Sequence, residues 1–318
     1  MSLKTQNTIR FYTAVALIFT LLVMALFCGC VENNGNKIPT SLGGLYSFEE
    51  DMQGWRANGT DLDNPAVNWS VGRSSEMSTE GNYSVKLYLE NLNDAAKIWM
   101  EKIYDVDADS LYDVTISYQF ATADFGDFNL FNLITTVLGS DFSGRDDLNY
   151  EGDTGNHMQT EDFVWLEKHF EYVVETDDAG EIYVNIGVWG SWETTRTYYV
   201  DNLNVSIEKL DTVDEYPDIS GEWIVTHYNW QGNMTLKENV TIVQNQSAVM
   251  LQFDFGVEVL GHIVANTLET PDHDTQFLIK GVDFRGLGIN VIYIVNESYM
   301  ITELPACESC RPSIFIRL

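Results

Sequence analysis

The most legible chemistry in this chain belongs to four tryptophans, a tyrosine and an asparagine. In the run Glu181 to Trp189, Ile182, Val184, Ile186 and Val188 alternate with Tyr183, Asn185 and Trp189. A strand has a period of two residues, so this spacing places the aliphatics on one face and the aromatic and amide groups on the other. Trp99 and Glu101 share a face by the same rule, as do Trp165 and Glu167, and Trp192 follows in the segment Gly190-Ser191-Trp192-Glu193. Flat aromatic rings fit the C–H surface of a pyranose, and planar amides and carboxylates fit its hydroxyls. Trp99, Trp165, Tyr183, Asn185, Trp189 and Trp192 are therefore candidate ligand-binding residues. The same residues would equally compose a face buried under another part of the chain, and sequence leaves both readings open.

Catalytic patterns are absent. The chain has no Gly-x-Ser-x-Gly, no His-Glu-x-x-His and no glycine-rich phosphate loop after a strand. Its five histidines (His157, His169, His227, His262 and His273) show no metal-ligand spacing, and Asp272-His273-Asp274 is at most an accidental cation contact. The 48 acidic residues offer many carboxylate pairs, but glycoside cleavage depends on their separation in space, which spacing in sequence does not select. The expectation is a protein that is not an enzyme. Cys307 and Cys310 form a lone Cys-x-x-Cys with no second pair to complete a zinc site, so a local disulfide near the C-terminus is the reading for an oxidising compartment.

Composition sets the class. The 318 residues are 45% hydrophobic and 13% aromatic, which is too apolar for a disordered acidic chain. The formal charge of -31 would be repelled by phosphate backbones and anionic headgroups, so nucleic-acid binding is excluded as an expectation. Lys4 and Arg10 precede an apolar run from Phe11 to Phe27, then Gly29-Cys30 and a polar stretch from Val31. This is export machinery rather than fold. It resembles the lipobox of secreted lipoproteins, which implies lipid attachment at Cys30 after cleavage; an uncleaved N-terminal membrane anchor and simple secretion are the alternatives. All three place the chain on the extracellular side of the cell membrane. Asn-x-Ser/Thr sequons at Asn58, Asn68, Asn82, Asn204, Asn233, Asn239, Asn245 and Asn296 agree with that address.

From Leu45 onwards, alternating and β-branched or aromatic runs recur every ten to fifteen residues, and helical periodicity is almost absent. The expected class is all-β. About nine strands before residue 210 are enough for a two-sheet sandwich, a polar acidic segment 209–217 reads as a linker, and eight short runs from Glu222 to Leu318 suggest a small antiparallel barrel that removes its own edges. The expected organisation is therefore 1–30 export segment or anchor, 31–44 tether, 45–208 sandwich, 209–217 linker and 218–318 barrel.

Residues 45–208 resemble the jelly-roll carbohydrate-binding modules, also called galactose-binding-like domains. The likeness is carried by Tyr46-Ser47-Phe48-Glu49 with Gly54-Trp55, by Glu80-Gly81-Asn82-Tyr83-Ser84-Val85-Lys86-Leu87, by Tyr112 to Tyr118, and by Tyr198-Tyr199-Val200-Asp201-Asn202-Leu203-Asn204-Val205. It implies a glycan-binding jelly roll in which a structural Ca²⁺ ties the first strand to the last through Glu49 and Asp201. The loop Asp141 to Asp153 is a second, weaker cation candidate. The second half, with Gly221-Glu222-Trp223 and Thr241-Ile242-Val243-Gln244, resembles small lipocalin-like barrels, although Gln246 and Ser247 stand where those barrels usually carry a glycine. The expectations are thus a surface lipoprotein with a calcium-stabilised glycan-binding sandwich, a structural or adhesion protein of the cell envelope that binds no free sugar, or a lipocalin-type carrier.

Overall fold

The computed structural model describes residues 42–122, 131–140, 164–211, 215–228, 233–265, 277–280, 291–303 and 313–318. Cys30, Cys307, Cys310, His157, His273 and the acidic loop 141–153 lie outside these residues. The described chain is all-β, a jelly-roll sandwich followed by a closed barrel.

Ten strands build the sandwich: β1 (Leu42–Tyr46), β2 (Arg56–Thr60), β3 (Asn68–Ser74), β4 (Ser84–Glu90), β5 (Lys97–Asp105), β6 (Leu111–Thr122), β7 (Phe131–Leu138), β8 (Val164–Glu175), β9 (Glu181–Gly190) and β10 (Thr195–Lys209). Strands β2, β5, β9 and β7 form one sheet in that order, and β3, β4, β10, β6 and β8 form the other, with β1 also paired to β10. The alternation dictates the packing. Val114, Ile116, Tyr118 and Phe120 of β6 are buried against Ile182, Val184, Ile186 and Val188 of β9, with Val85, Leu87 and Leu89 of β4 in the same core. Each such side chain contributes about 1.5–3 kcal/mol by leaving water. Tyr118 is buried whole, yet its hydroxyl meets Thr135 Oγ1 at 2.7 Å, which keeps the polar tip satisfied.

Strand β10 serves two neighbours along one edge. Its first half, Thr195 to Val200, pairs with β4, and its second half, Leu203 to Ile207, pairs with β1. The change of partner falls at a bulge between Asp201 and Asn204, where Asn202 adopts a positive φ of 50°. Strand β2 had no signal in sequence, because Arg-Ala-Asn-Gly-Thr lacks alternation; it is an edge strand held by β5 alone.

The barrel comprises β11 (Gly221–Tyr228), β12 (Met234–Asn245), β13 (Ala248–Phe253), β14 (Glu258–Ala265), β15 (Phe277–Lys280), β16 (Val291–Asn296), β17 (Tyr299–Glu303) and β18 (Ile314–Arg317). Consecutive strands pair antiparallel and β18 returns to β11, which closes the sheet. Inside, Trp223, Val225, Ile242, Leu251, Ile263, Ile292, Met300 and Phe315 pack on one another, and Trp223 Nε1 donates to Ile219 O at 2.8 Å. The segment expected as a linker begins inside structure: Lys209 is the last residue of β10, and Leu210 N donates to Leu111 O at 2.8 Å. Lys280 of β15 pairs with Asp113 of β6, so an ion pair joins barrel to sandwich.

Candidate functional site

The outer face of the four-stranded sheet gathers the aromatic and amide groups. Pairing sets its rows. Glu101 lies opposite Asn185, which lies opposite Thr136; Trp99 lies opposite Gly187, which lies opposite Ile134; Lys97 lies opposite Trp189, which lies opposite Asn132. Strand β2 adds Asn58 beside Trp99 and Arg56 beside Glu101. Gly187 is required here, because a Cβ at that position would strike Trp99 and the Ile98 carbonyl. Its bare backbone lets Trp99 pack across β9 onto Ile134 and Trp189.

Burial grades across this face. Trp192, in the turn after β9, is 58% exposed, Trp189 is half-buried, and Trp99 and Tyr183 are buried. Trp189 Nε1 donates to Asp94 O at 3.1 Å, and Lys97 Nζ stands 5.2 Å over its ring while pairing with Asp61 at 3.1 Å. Tyr183 Oη donates to Glu181 Oε2 at 2.5 Å, and Asn58 Nδ2 donates to Glu101 Oε2 at 3.3 Å. The turn bearing Trp192 is held by Asn91, whose Nδ2 donates to Gly190 O at 3.0 Å and Trp192 O at 2.7 Å.

Asn185 stands apart. It is 0% exposed, and among the described residues neither its amide oxygen nor its amide nitrogen has a hydrogen-bond partner. Burying an unsatisfied amide costs on the order of 1–3 kcal/mol. It lies four residues along β9 from Trp189, roughly 13 Å away along the strand.

The face brings together Trp99, Tyr183, Asn185 and Trp189, with Trp192 in the turn that follows Gly190. Trp165 is not part of it. Paired with Ala121 of β6, Trp165 sits with Glu167 on the outer face of the other sheet, where its ring lies 6.5 Å from that of Tyr199. Thr136, Ile134 and Asn58 belong to the face and were missed, because polar or aliphatic singletons carry no signal until register places them beside the aromatics.

Glu49 and Asp201 do converge, on the loop 79–83. Glu49 Oε1 accepts Asn82 N at 2.9 Å and Tyr83 N at 3.0 Å, and those N–H groups, Asn82 first, hold its carboxyl below the usual carboxylate range. Gly81, at φ +64°, is confined to glycine because a Cβ would strike that carboxylate. Asp201, 1% exposed, accepts Thr79 N at 2.7 Å, Thr79 Oγ1 at 2.9 Å and Glu80 N at 3.4 Å on Oδ2, and Asn202 N at 2.7 Å on Oδ1. Arg73 completes the cluster. Its Nε donates to Phe48 O at 2.6 Å, its Nη2 donates to Glu49 O, and its guanidinium lies 3.2 Å from the Tyr83 ring centroid.

Calcium requires six to eight oxygens aimed at one point. Here the oxygens of Glu49, Asp201, Phe48 and Glu49's carbonyl are aimed at N–H groups instead. As arranged, these residues do not fit the divalent ion that the jelly-roll resemblance implied, and the positive charge beside the first strand comes from Arg73. Among the described residues no three His, Cys, Asp or Glu side chains come together to hold a metal. A signal was present in sequence: Trp69, Val71 and Arg73 alternate in β3, so Arg73 occupies a core-facing position opposite Val85.

No known protein family's sequence profile matches the chain, and no curated protein matches it. Solved structures do. TmCBM61 in complex with β-1,4-galactotriose is 14% identical over 50% of this chain and 92% of its own, with a TM-score of 0.28. The CBM22-1 xylan-binding domain of Xyn10C from Paenibacillus barcinonensis is 17% identical over 53% and 97%, with a TM-score of 0.31. The K1 cleaved adhesin domain of Lys-gingipain from Porphyromonas gingivalis is 12% identical over 53% and 98%, also at 0.31. These are similarities in backbone arrangement over about half of the chain.

Proposed function

We propose that the sandwich binds glycan chains on the outer face of its four-stranded sheet. Trp189 and Trp192 offer accessible rings for stacking, and Asn185 is the inner polar anchor. The observation that carries this reading is Asn185. A buried amide with no partner among the described residues is a cost to folding, and a sugar hydroxyl, which both donates and accepts, would relieve it on reaching the face. The face also holds Glu101 and Asn58 as further planar polar groups.

The reading extends to address. The basic start, the apolar run and Cys30 support a chain anchored at the outer surface of the cell membrane, where envelope glycans are the available ligands. No catalytic role is proposed.

The test is a glycan panel presented to the full chain, with Trp189→Ala as the paired variant. Binding by the parent chain and its loss in Trp189→Ala, at a nearly unchanged melting temperature, is the expected result. The burial of Trp99 and Tyr183 favours a second reading, in which the face is covered by protein and the molecule is a structural or adhesion component of the envelope. No glycan hit, together with a strongly destabilised Trp189→Ala, selects that second reading.

A further inference from the structure

The eight sequons are not equivalent once folded. In an extended strand, Asn and the hydroxyl residue of Asn-x-Ser/Thr lie two positions apart and share one face, while the middle residue points the other way. Asn204 and Ser206 meet this condition on β10, with Val205 buried between them, and Asn239 and Thr241 meet it on β12 around buried Val240. Asn68 and Ser70 are both exposed on β3, with Trp69 packed against the core. Asn233 with Thr235, and Asn296 with Ser298 at the end of β16, are exposed throughout.

The remaining three differ in one respect. Their hydroxyl residues are buried: Thr60 is 3% exposed, Ser84 0% and Ser247 7%. Amide contacts do not separate the two groups, since Asn58 Nδ2 donates to Glu101 at 3.3 Å and Asn239 Nδ2 donates to Asp254 at 2.6 Å; burial of the hydroxyl residue does. Ser84 Oγ donates to Met77 O at 2.5 Å. A sugar on Asn58 would also obstruct the face that carries Asn185 and Trp99.

We infer that Asn68, Asn204, Asn233, Asn239 and Asn296 are glycosylated on the folded protein, and that Asn58, Asn82 and Asn245 are not. The donor class is a glycan carried on a lipid diphosphate. The asparagine Nδ2 forms a bond to the anomeric carbon, the bond from that carbon to the diphosphate oxygen breaks with its electron pair on the leaving diphosphate, and one amide proton passes to a base of the transferring enzyme. Space is the physical reason for the sorting. An exposed Nδ2 accommodates a glycan without moving the strand that bears it, and the transferring enzyme must reach the hydroxyl as well as the amide. The inference rests on the extracellular address proposed above and not on sugar binding by the sandwich.

The experiment is peptide mass spectrometry on the full chain purified from the cells that make it, with the same chain made in a compartment lacking glycosylation enzymes as the unmodified reference. Protease treatment of intact cells, run alongside, reports the address. The expected result is loss of most of the unmodified-peptide signal for the five exposed sequons and full signal for the other three. Five bare asparagines on a surface-accessible chain overturn the inference and leave the address intact. Five bare asparagines on a chain that surface protease cannot reach overturn both. Equal modification of all eight overturns the sorting, because it means that attachment ignores the fold.

Discussion

Two regions of the sandwich treat their buried polar groups in opposite ways. At the end of β1, Asp201 and Glu49 accept six hydrogen bonds from the loop 79–83 and from Asn202, and Arg73 caps the Phe48 and Glu49 carbonyls. On the outer face of the four-stranded sheet, Asn185 is buried as deeply as Asp201 and, among the described residues, accepts or donates none. A satisfied network rigidifies a fold, and an unsatisfied buried group is a cost to it. The contrast separates a clamp from a candidate binding face without reference to any ligand.

The largest expected effect tests how firmly that face is covered. Trp99→Ala should cost about 3–5 kcal/mol in urea unfolding, as large buried aromatics do. A loss below about 1 kcal/mol would mean that the ring is loosely covered and that the face opens to solvent.

Next in size is the clamp. Asp201→Ala leaves the Thr79, Glu80 and Asn202 N–H groups without an acceptor and should cost about 3 kcal/mol by the same measurement. Because these oxygens are aimed at N–H groups, the melting temperature of the parent chain is expected to be the same in EDTA and in millimolar-range calcium. A rise with calcium would show that the clamp rearranges around the ion.

Asn185→Leu sharpens the comparison in the other direction. Replacing an unsatisfied buried amide with an apolar group of similar size should raise stability by about 1 kcal/mol while removing glycan binding. Destabilisation by more than about 1 kcal/mol would show that the amide is partnered in solution and would erase the contrast with Asp201.

The smallest effect is in pH. The Asn82 and Tyr83 N–H groups lower the Glu49 pKa from its ordinary 4.5. A lowered folded-state value stabilises the fold above the unfolded value and loses that contribution as pH falls through the folded one. Glu49→Gln should therefore reduce the melting temperature at neutral pH and lose less of it on acidification, so that the two curves converge as pH falls through the lowered folded-state value. Parallel curves down to pH 2 would remove Glu49 from the clamp's titration.

Strands and their faces were open to sequence reasoning because pleating is local. Ile182, Val184, Ile186 and Val188 turn inward, and Tyr183, Asn185 and Trp189 turn outward, by a period that each residue shares with its immediate neighbours. The same local rule separated Trp165 and Glu167 from their inward neighbours, and the barrel from a helical alternative. It could not say that Trp165 and Trp99 belong to different sheets, because sheet membership is fixed by pairing between β6 and β8 and between β5 and β9 across long stretches of chain. Nor could it place Arg73 on the Phe48 and Glu49 carbonyls, or find that Asn185 has no partner among the described residues. Satisfaction of a buried polar group is a property of everything that surrounds it, and only the assembled fold brings those surroundings together.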